Sequence, residues 1–136
     1  MQNEKVILAA EADSADAEHL RDCLSRLRYR VYLARSAAEI LRLMQRTIFT
    51  NAIVGVELKI GDEPVLSVLS HLPATKKLIA TGRAGDGEAE MLSRREGAHL
   101  YLPRPVNINR LAKALGCGVP GTYVPTTKKT KRRQRA

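Results

Sequence analysis

Tryptophan is absent from this sequence and phenylalanine occurs once, at Phe49, so any core must be built from aliphatic side chains. There are only two cysteines, Cys23 and Cys117. They share no CxxC or other ligand-like spacing, which excludes a disulfide framework and a thiolate metal site and leaves reduced thiols as the expectation. The three histidines, His19, His71 and His99, are scattered; no metal and no cofactor is expected. No apolar run approaches the roughly 20 residues of a membrane span. The opening MQNEKVILAAEAD turns acidic too early for the long apolar region of a signal peptide. A cytoplasmic chain without a membrane span is expected.

What remains is 136 residues, one domain's worth of chain and long enough to bury a core without metals or disulfides. The formal net charge is +9, but it is unevenly spread. Residues 122–136 contain Lys128, Lys129, Lys131, Arg132, Arg133 and Arg135 and no acid, so the rest of the chain carries only +3. The high isoelectric point belongs mostly to a tail and not to a uniformly basic fold.

Apolar periodicity alternates between short aliphatic runs and helical spacing. Strands are predicted at 5–9 (KVILA), 31–34 (VYLA), 52–56 (AIVGV), 77–80 (KLIA) and 99–102 (HLYL). Between them fall helical patterns. The first, over 14–27, places Ala17, Leu20, Cys23, Leu24 and Leu27 on one face behind an Asp13 or Ser14 cap. Ser36 and Glu39 have capping-box spacing and open a second. Asp62 and Glu63 start a third, with Pro64 in its first turn. Asp86 opens a fourth ending at Gly97, and Asn107 caps a fifth stopped by Gly116 and Gly118. Five βα units with short aliphatic strands predict an α/β fold: a five-stranded parallel sheet of flavodoxin-like order 2-1-3-4-5 with helices on both faces. A folded domain is expected over residues 1–116, followed by a flexible linker and basic tail over 117–136. Ligands of such sheets gather at the carboxyl ends of the strands, which directs attention to residues 10–13, 57–61, 81–83 and 103–105.

The segments at those ends resemble the response-regulator receiver (CheY-like) family of two-component signalling. KVILAAEAD is similar to its first strand and acidic pair, ELKIG to the stretch around its phosphoacceptor aspartate, LIATGR to its fourth strand with the terminal Thr or Ser, and GAHLYLPRP to its Tyr-Leu-x-Lys-Pro run. The resemblance spans about four-fifths of the chain. It implies that Thr81 holds the hydroxyl position, Tyr101 the aromatic switch position and Arg104 the lysine position. Counting back from the first helix places the acidic pair at Glu11 and Ala12; counting forward from the first strand places it at Ala10 and Glu11. The acceptor position falls on Glu57 or on Val56. Each alternative removes the aspartate, so the sequence resembles a pseudo-receiver that is not phosphorylated and is not an enzyme.

Receiver chemistry needs a Mg²⁺ held near-octahedrally by carboxylate oxygens and a lysine ammonium facing the transferred phosphoryl group. Here one acid of the pair is lost, a glutamate displaces the carboxylate by about a bond length, and a planar guanidinium replaces the ammonium. Arg104 is therefore expected to pair with Glu11, Glu57 or both, fixing one state of the switch, with Glu57 as a mimic of the phosphorylated acceptor. The competing reading makes all three solvated charges on a loop rim. By the same resemblance, Met91, Arg94, Arg95, His99, Tyr101 and Arg110 form a partner face on the fourth helix, fifth strand and fifth helix, for another protein or a second copy. The tail admits three readings: a linker to a further segment, a contact for an acidic protein or membrane surface, or a salt-sensitive nucleic-acid contact. The last gives a second function class, a nucleic-acid-associated regulatory protein.

Overall fold

The aliphatic runs and helical patterns build a three-layer structure, seen in a computed structural model that describes residues 5–117. In chain order the elements are β1 (Val6–Ala10), α1 (Ser14–Arg26), β2 (Arg30–Ala34), α2 (Ala37–Met44), β3 (Asn51–Gly55), β4 (Lys59–Ile60), β5 (Glu63–Pro64), α3 (Val65–Ser70), β6 (Lys77–Gly82), α4 (Gly87–Arg95), β7 (Leu100–Pro103) and α5 (Ile108–Leu115). The main sheet has the order β2-β1-β3-β6-β7 and is parallel throughout. This is the expected 2-1-3-4-5 arrangement, with one small hairpin inserted after the third strand.

Side chains alternate across a strand, and here the alternation sorts two cores. Leu8 and Ala10, Ala52 and Val54, Leu78 and Ala80, and Tyr101 face the side covered by α2 and α3. Ile7 and Ala9, Ile53, Ile79 and Leu102 face the side covered by α1 and α5. Apart from Tyr101, both rows are aliphatic, as a parallel sheet buried on both faces requires.

The helices begin where their caps lie. Asp13 accepts from the Asp16 amide at 3.0 Å, Ser36 from Glu39 at 3.2 Å, and Asp86 from Ala89 at 3.0 Å. Asn107 accepts from both Asn109 and Arg110. Each side chain satisfies amides that the first turn leaves without a helical partner.

The third helix differs from expectation. It starts at Val65 and not at Asp62, because Gly61 takes a left-handed φ of +63° and turns the chain into a two-residue antiparallel pairing of Lys59–Ile60 with Glu63–Pro64. Pro64, extended at φ −60° and ψ 140°, then occupies the N-cap position of α3 without a side-chain cap. The third strand also stops one residue early, at Gly55. Cys117 packs against the α1 and α5 side, one residue past the expected boundary at 116. The rest of the expected linker, from residue 118, and the tail cations Lys128 to Arg135 lie outside the described residues.

Candidate functional site

The site grows out of the apolar rows on the α1 and α5 side. Two residues beyond Ala9 stands Glu11; two beyond Ile53, Gly55; two beyond Ile79, Thr81; two beyond Leu102, Arg104. The pleat thus aims all four positions the same way, at the carboxyl end of the sheet, and Gly55 is in register with Thr81. A residue one step out of phase belongs to the other layer. Ala10 and Val56 do so, Ala10 buried in the α2 and α3 core and Val56 packed against it.

Glu11 is buried to 1% exposure. Its Oε2 accepts from the Thr81 hydroxyl at 2.5 Å. Arg104 donates to the same carboxylate along one edge, Nη2 to Oε1 at 2.8 Å and Nε to Oε2 at 3.3 Å. Along its other edge the guanidinium grips Glu57, Nη1 to Oε2 at 2.7 Å and Nη2 to Oε1 at 2.6 Å. Nη2 also lies 3.4 Å from the Thr81 carbonyl, and Nε lies 3.9 Å from Asp16. This double fork uses the planar donor array of arginine; a lysine ammonium has no such edges. Arg104 therefore bridges both carboxylates, and the charges are not independently solvated.

The electrostatics follow from unequal burial. Removal from water pushes the Glu11 carboxyl above its ordinary value, against the opposing hydrogen bonds from Thr81 and Arg104. Glu57, with its side chain 57% exposed, is held below the ordinary carboxylate range by the Arg104 hydrogen bonds. The bonds to Glu57 and Glu11 raise Arg104 further, so it stays a cation.

Of the two expected acceptor positions, neither ends the strand. Glu57 is two residues past β3 and folds its carboxylate back to the pocket, while Val56 faces the opposite layer. The strand-end position is Gly55, and the reason for glycine is steric. A Cβ there would stand 2.6 Å from Glu11 Oε1, 2.7 Å from Arg104 Nη2 and 3.2 Å from Glu57 Oε1. The volume a side chain would fill is taken by the ion cluster. A glycine inside an aliphatic strand is the sequence signal for such a close approach.

Ala12 is exposed and contributes only its carbonyl, which accepts from Arg35 Nε at 3.0 Å. A hard divalent cation needs several oxygens around an open centre. Here a guanidinium lies between the two carboxylates, and among the described residues no group of three or more His, Cys, Asp or Glu is arranged to hold a metal. The residues present do not fit the Mg²⁺ of receiver chemistry.

The six residues of the expected partner face are not alike. Met91 is 60% exposed, and Arg94, Arg95, His99 and Arg110 are exposed. Arg94 is paired with Glu90 at 3.2 Å. Tyr101 is buried and its hydroxyl donates to the Arg83 carbonyl at 2.8 Å, tying the β6–α4 loop to β7. His99 Nδ1 accepts from the Leu78 amide at 3.0 Å, a structural tie at the start of the last two strands.

No protein-family model matches the chain, and no curated protein matches it. Solved structures do. The chain is similar to the signal receiver domain of an HD domain-containing protein from Pseudomonas fluorescens Pf-5, at 23% identity and a TM-score of 0.73, over 84% of this chain and 93% of that one. It is similar to a CheY-like response regulator receiver domain from Methanospirillum hungatei JF-1, at 24% identity and a TM-score of 0.68, over 84% and 92%. A CheY-like receiver domain from Methylobacillus flagellatus matches at 22% identity and a TM-score of 0.69, over 84% and 98%. At these identities the likeness establishes the receiver fold. Among the described residues no helix is long and apolar enough to cross a membrane.

Proposed function

We propose that this chain is a pseudo-receiver: a non-enzymatic signalling module that is not phosphorylated and that docks a protein partner, or a second copy of itself, through the α4, β7 and α5 face. The observation that carries the reading is the double fork of Arg104 on Glu11 and Glu57, standing where a side chain at position 55 would be. Phosphoryl transfer to a carboxylate requires a nucleophile free to approach in line and a cation to neutralise developing charge. Here both carboxylates are engaged by an internal cation, Thr81 donates to Glu11, and position 55 has no side chain. A pocket so filled holds one state, and the adjoining face, with Met91, Arg95 and Arg110 outward and Tyr101 turned in, is presented in one form.

Incubation of the full chain with Mg²⁺ and acetyl phosphate, followed by intact-mass measurement, should give no added phosphoryl mass. Titration with Mg²⁺ and beryllofluoride should leave the amide spectrum of Gly55, Glu57 and Thr81 unmoved. A phospho-adduct, or saturable shifts at those amides, overturns the proposal.

A further inference from the structure

At the opposite end of the sheet, where the strands begin, the loops after α2 and after α3 enclose a groove of about 240 Å³. Met44, Phe49, Ala52, Leu69, Leu72 and Pro73 supply its apolar lining, and no acidic side chain lines it. At its mouth stands Ile48, 77% exposed and the most exposed large apolar side chain among the described residues. Fully burying an aliphatic side chain stabilises by about 1.5–3 kcal/mol, so leaving Ile48 in water forgoes that gain. The volume falls below the about 300–1,000 Å³ typical of small-molecule sites. It suits one or two apolar side chains, which is how peptide segments anchor.

Charge selects the occupant. Exposed Arg46 and Lys76 adjoin the lining residues Thr47 and Thr75 in the chain. Lys5, Arg28, Arg30 and Lys77 precede or open strands at this same end of the sheet. At the other end the loops carry Glu11, Asp13, Glu57, Asp62 and Asp86 together with Arg35, Lys59, Arg83 and Arg104, so the charges there are mixed, while at the groove's end Glu96 closes α4 among the cations. The groove thus opens on a cationic end of the molecule. We infer that it docks an acidic peptide segment of a protein partner, anchored by an apolar side chain against Ile48 and Leu72. A nucleic-acid backbone satisfies the charge but has no aliphatic side chain for the cavity. The chain's own basic segment, Lys128 to Arg135, has the wrong sign. The inference is independent of the pocket around Arg104, which lies at the far end of the strands.

The test uses the full chain and a fluorescein-labelled peptide about a dozen residues long, composed of Asp and Glu around a central Leu-Leu pair. A second peptide of equal charge has Ser-Ser at the centre. Anisotropy should show saturable binding of the first, at least tenfold weaker binding of the second, and a loss of at least tenfold with Ile48→Glu, an exposed position whose substitution leaves the core intact. Lys76→Glu should weaken binding severalfold, and amide shifts should centre on Thr47, Ile48, Leu72 and Thr75. Equal affinity for the two peptides, which is what tail charge alone gives, overturns the inference. So does a dimer in sedimentation that Ile48→Glu dissolves, because the groove is then covered by a second copy.

Discussion

Replacing Arg104 by methionine keeps the aliphatic bulk and removes the cation, which makes it the most direct perturbation of the pocket. Glu11 is 1% exposed and Arg104 17%, so the variant leaves a buried carboxylate with only the Thr81 hydroxyl for a partner. Removing one member of a buried pair costs about 3–5 kcal/mol. The low end, about 3 kcal/mol, is appropriate here because the Glu57 side of the cluster faces water. That is a sizeable share of the about 5–15 kcal/mol typical of a domain. The loss depends on pH with a defined sign. Burial already holds Glu11 above its ordinary value of 4.5, and losing the cation raises it further. A carboxyl with a raised folded value contributes most below its unfolded value, and that contribution is lost as pH rises through the folded one. The deficit of Arg104→Met should therefore be largest near neutrality and shrink as pH falls toward 4.5. Urea unfolding followed by circular dichroism at several pH values measures it. Adding Glu11→Gln should recover much of the loss, since it removes the orphaned charge. A deficit below about 1 kcal/mol, typical of exposed pairs, or one that does not change with pH, refutes the reasoning.

Gly55→Ala should destabilise by about 1–3 kcal/mol, because its Cβ needs space held by Glu11 and Arg104; adding Arg104→Met should cost less than the two single losses summed. Glu57→Gln should cost less than about 1 kcal/mol, as expected of a half-exposed partner. In the parent protein the Glu57 carboxyl should titrate below 4.5, so the stability it contributes is present above 4.5 and is lost as pH falls through its folded value; carbon-detected titration of the side chain follows it. If the tail contacts duplex nucleic acid, six cations give a log–log salt slope of at most about −5, and replacing Lys128, Lys129, Lys131, Arg132, Arg133 and Arg135 by serine should abolish the binding. Unchanged binding in a shift assay excludes the tail.

Much of the site was legible because it is carried by strand ends. Glu11, Thr81 and Arg104 each follow an aliphatic run by a fixed phase, and a polar residue in phase with a buried row has few places to go. Glu57 was legible as a participant, but not that its carboxylate reaches the pocket from two residues past the end of β3. Gly55 escaped because its contribution is a missing side chain; only its presence within AIVGV hinted at it. The hairpin of Lys59–Ile60 and Glu63–Pro64 is too short to carry a period, and so Asp62 was read as a helix start. The partner of the Tyr101 hydroxyl escaped too, because it is a loop carbonyl 18 residues back. The groove at Ile48 depends on two loops far apart in the sequence, and no local pattern announces it.

The glycine at 55 also bears on how this pocket can change. An aspartate introduced there alone brings its Cβ to 2.6 Å from the Glu11 oxygen and 2.7 Å from the Arg104 nitrogen, closer than non-bonded atoms sit, so those side-chain ends must move to admit it. Removing Arg104 alone strands Glu11. Each single step back toward an open acidic pocket therefore disturbs groups that the other position holds, so changes at 55 and 104 are coupled and their effects do not simply add.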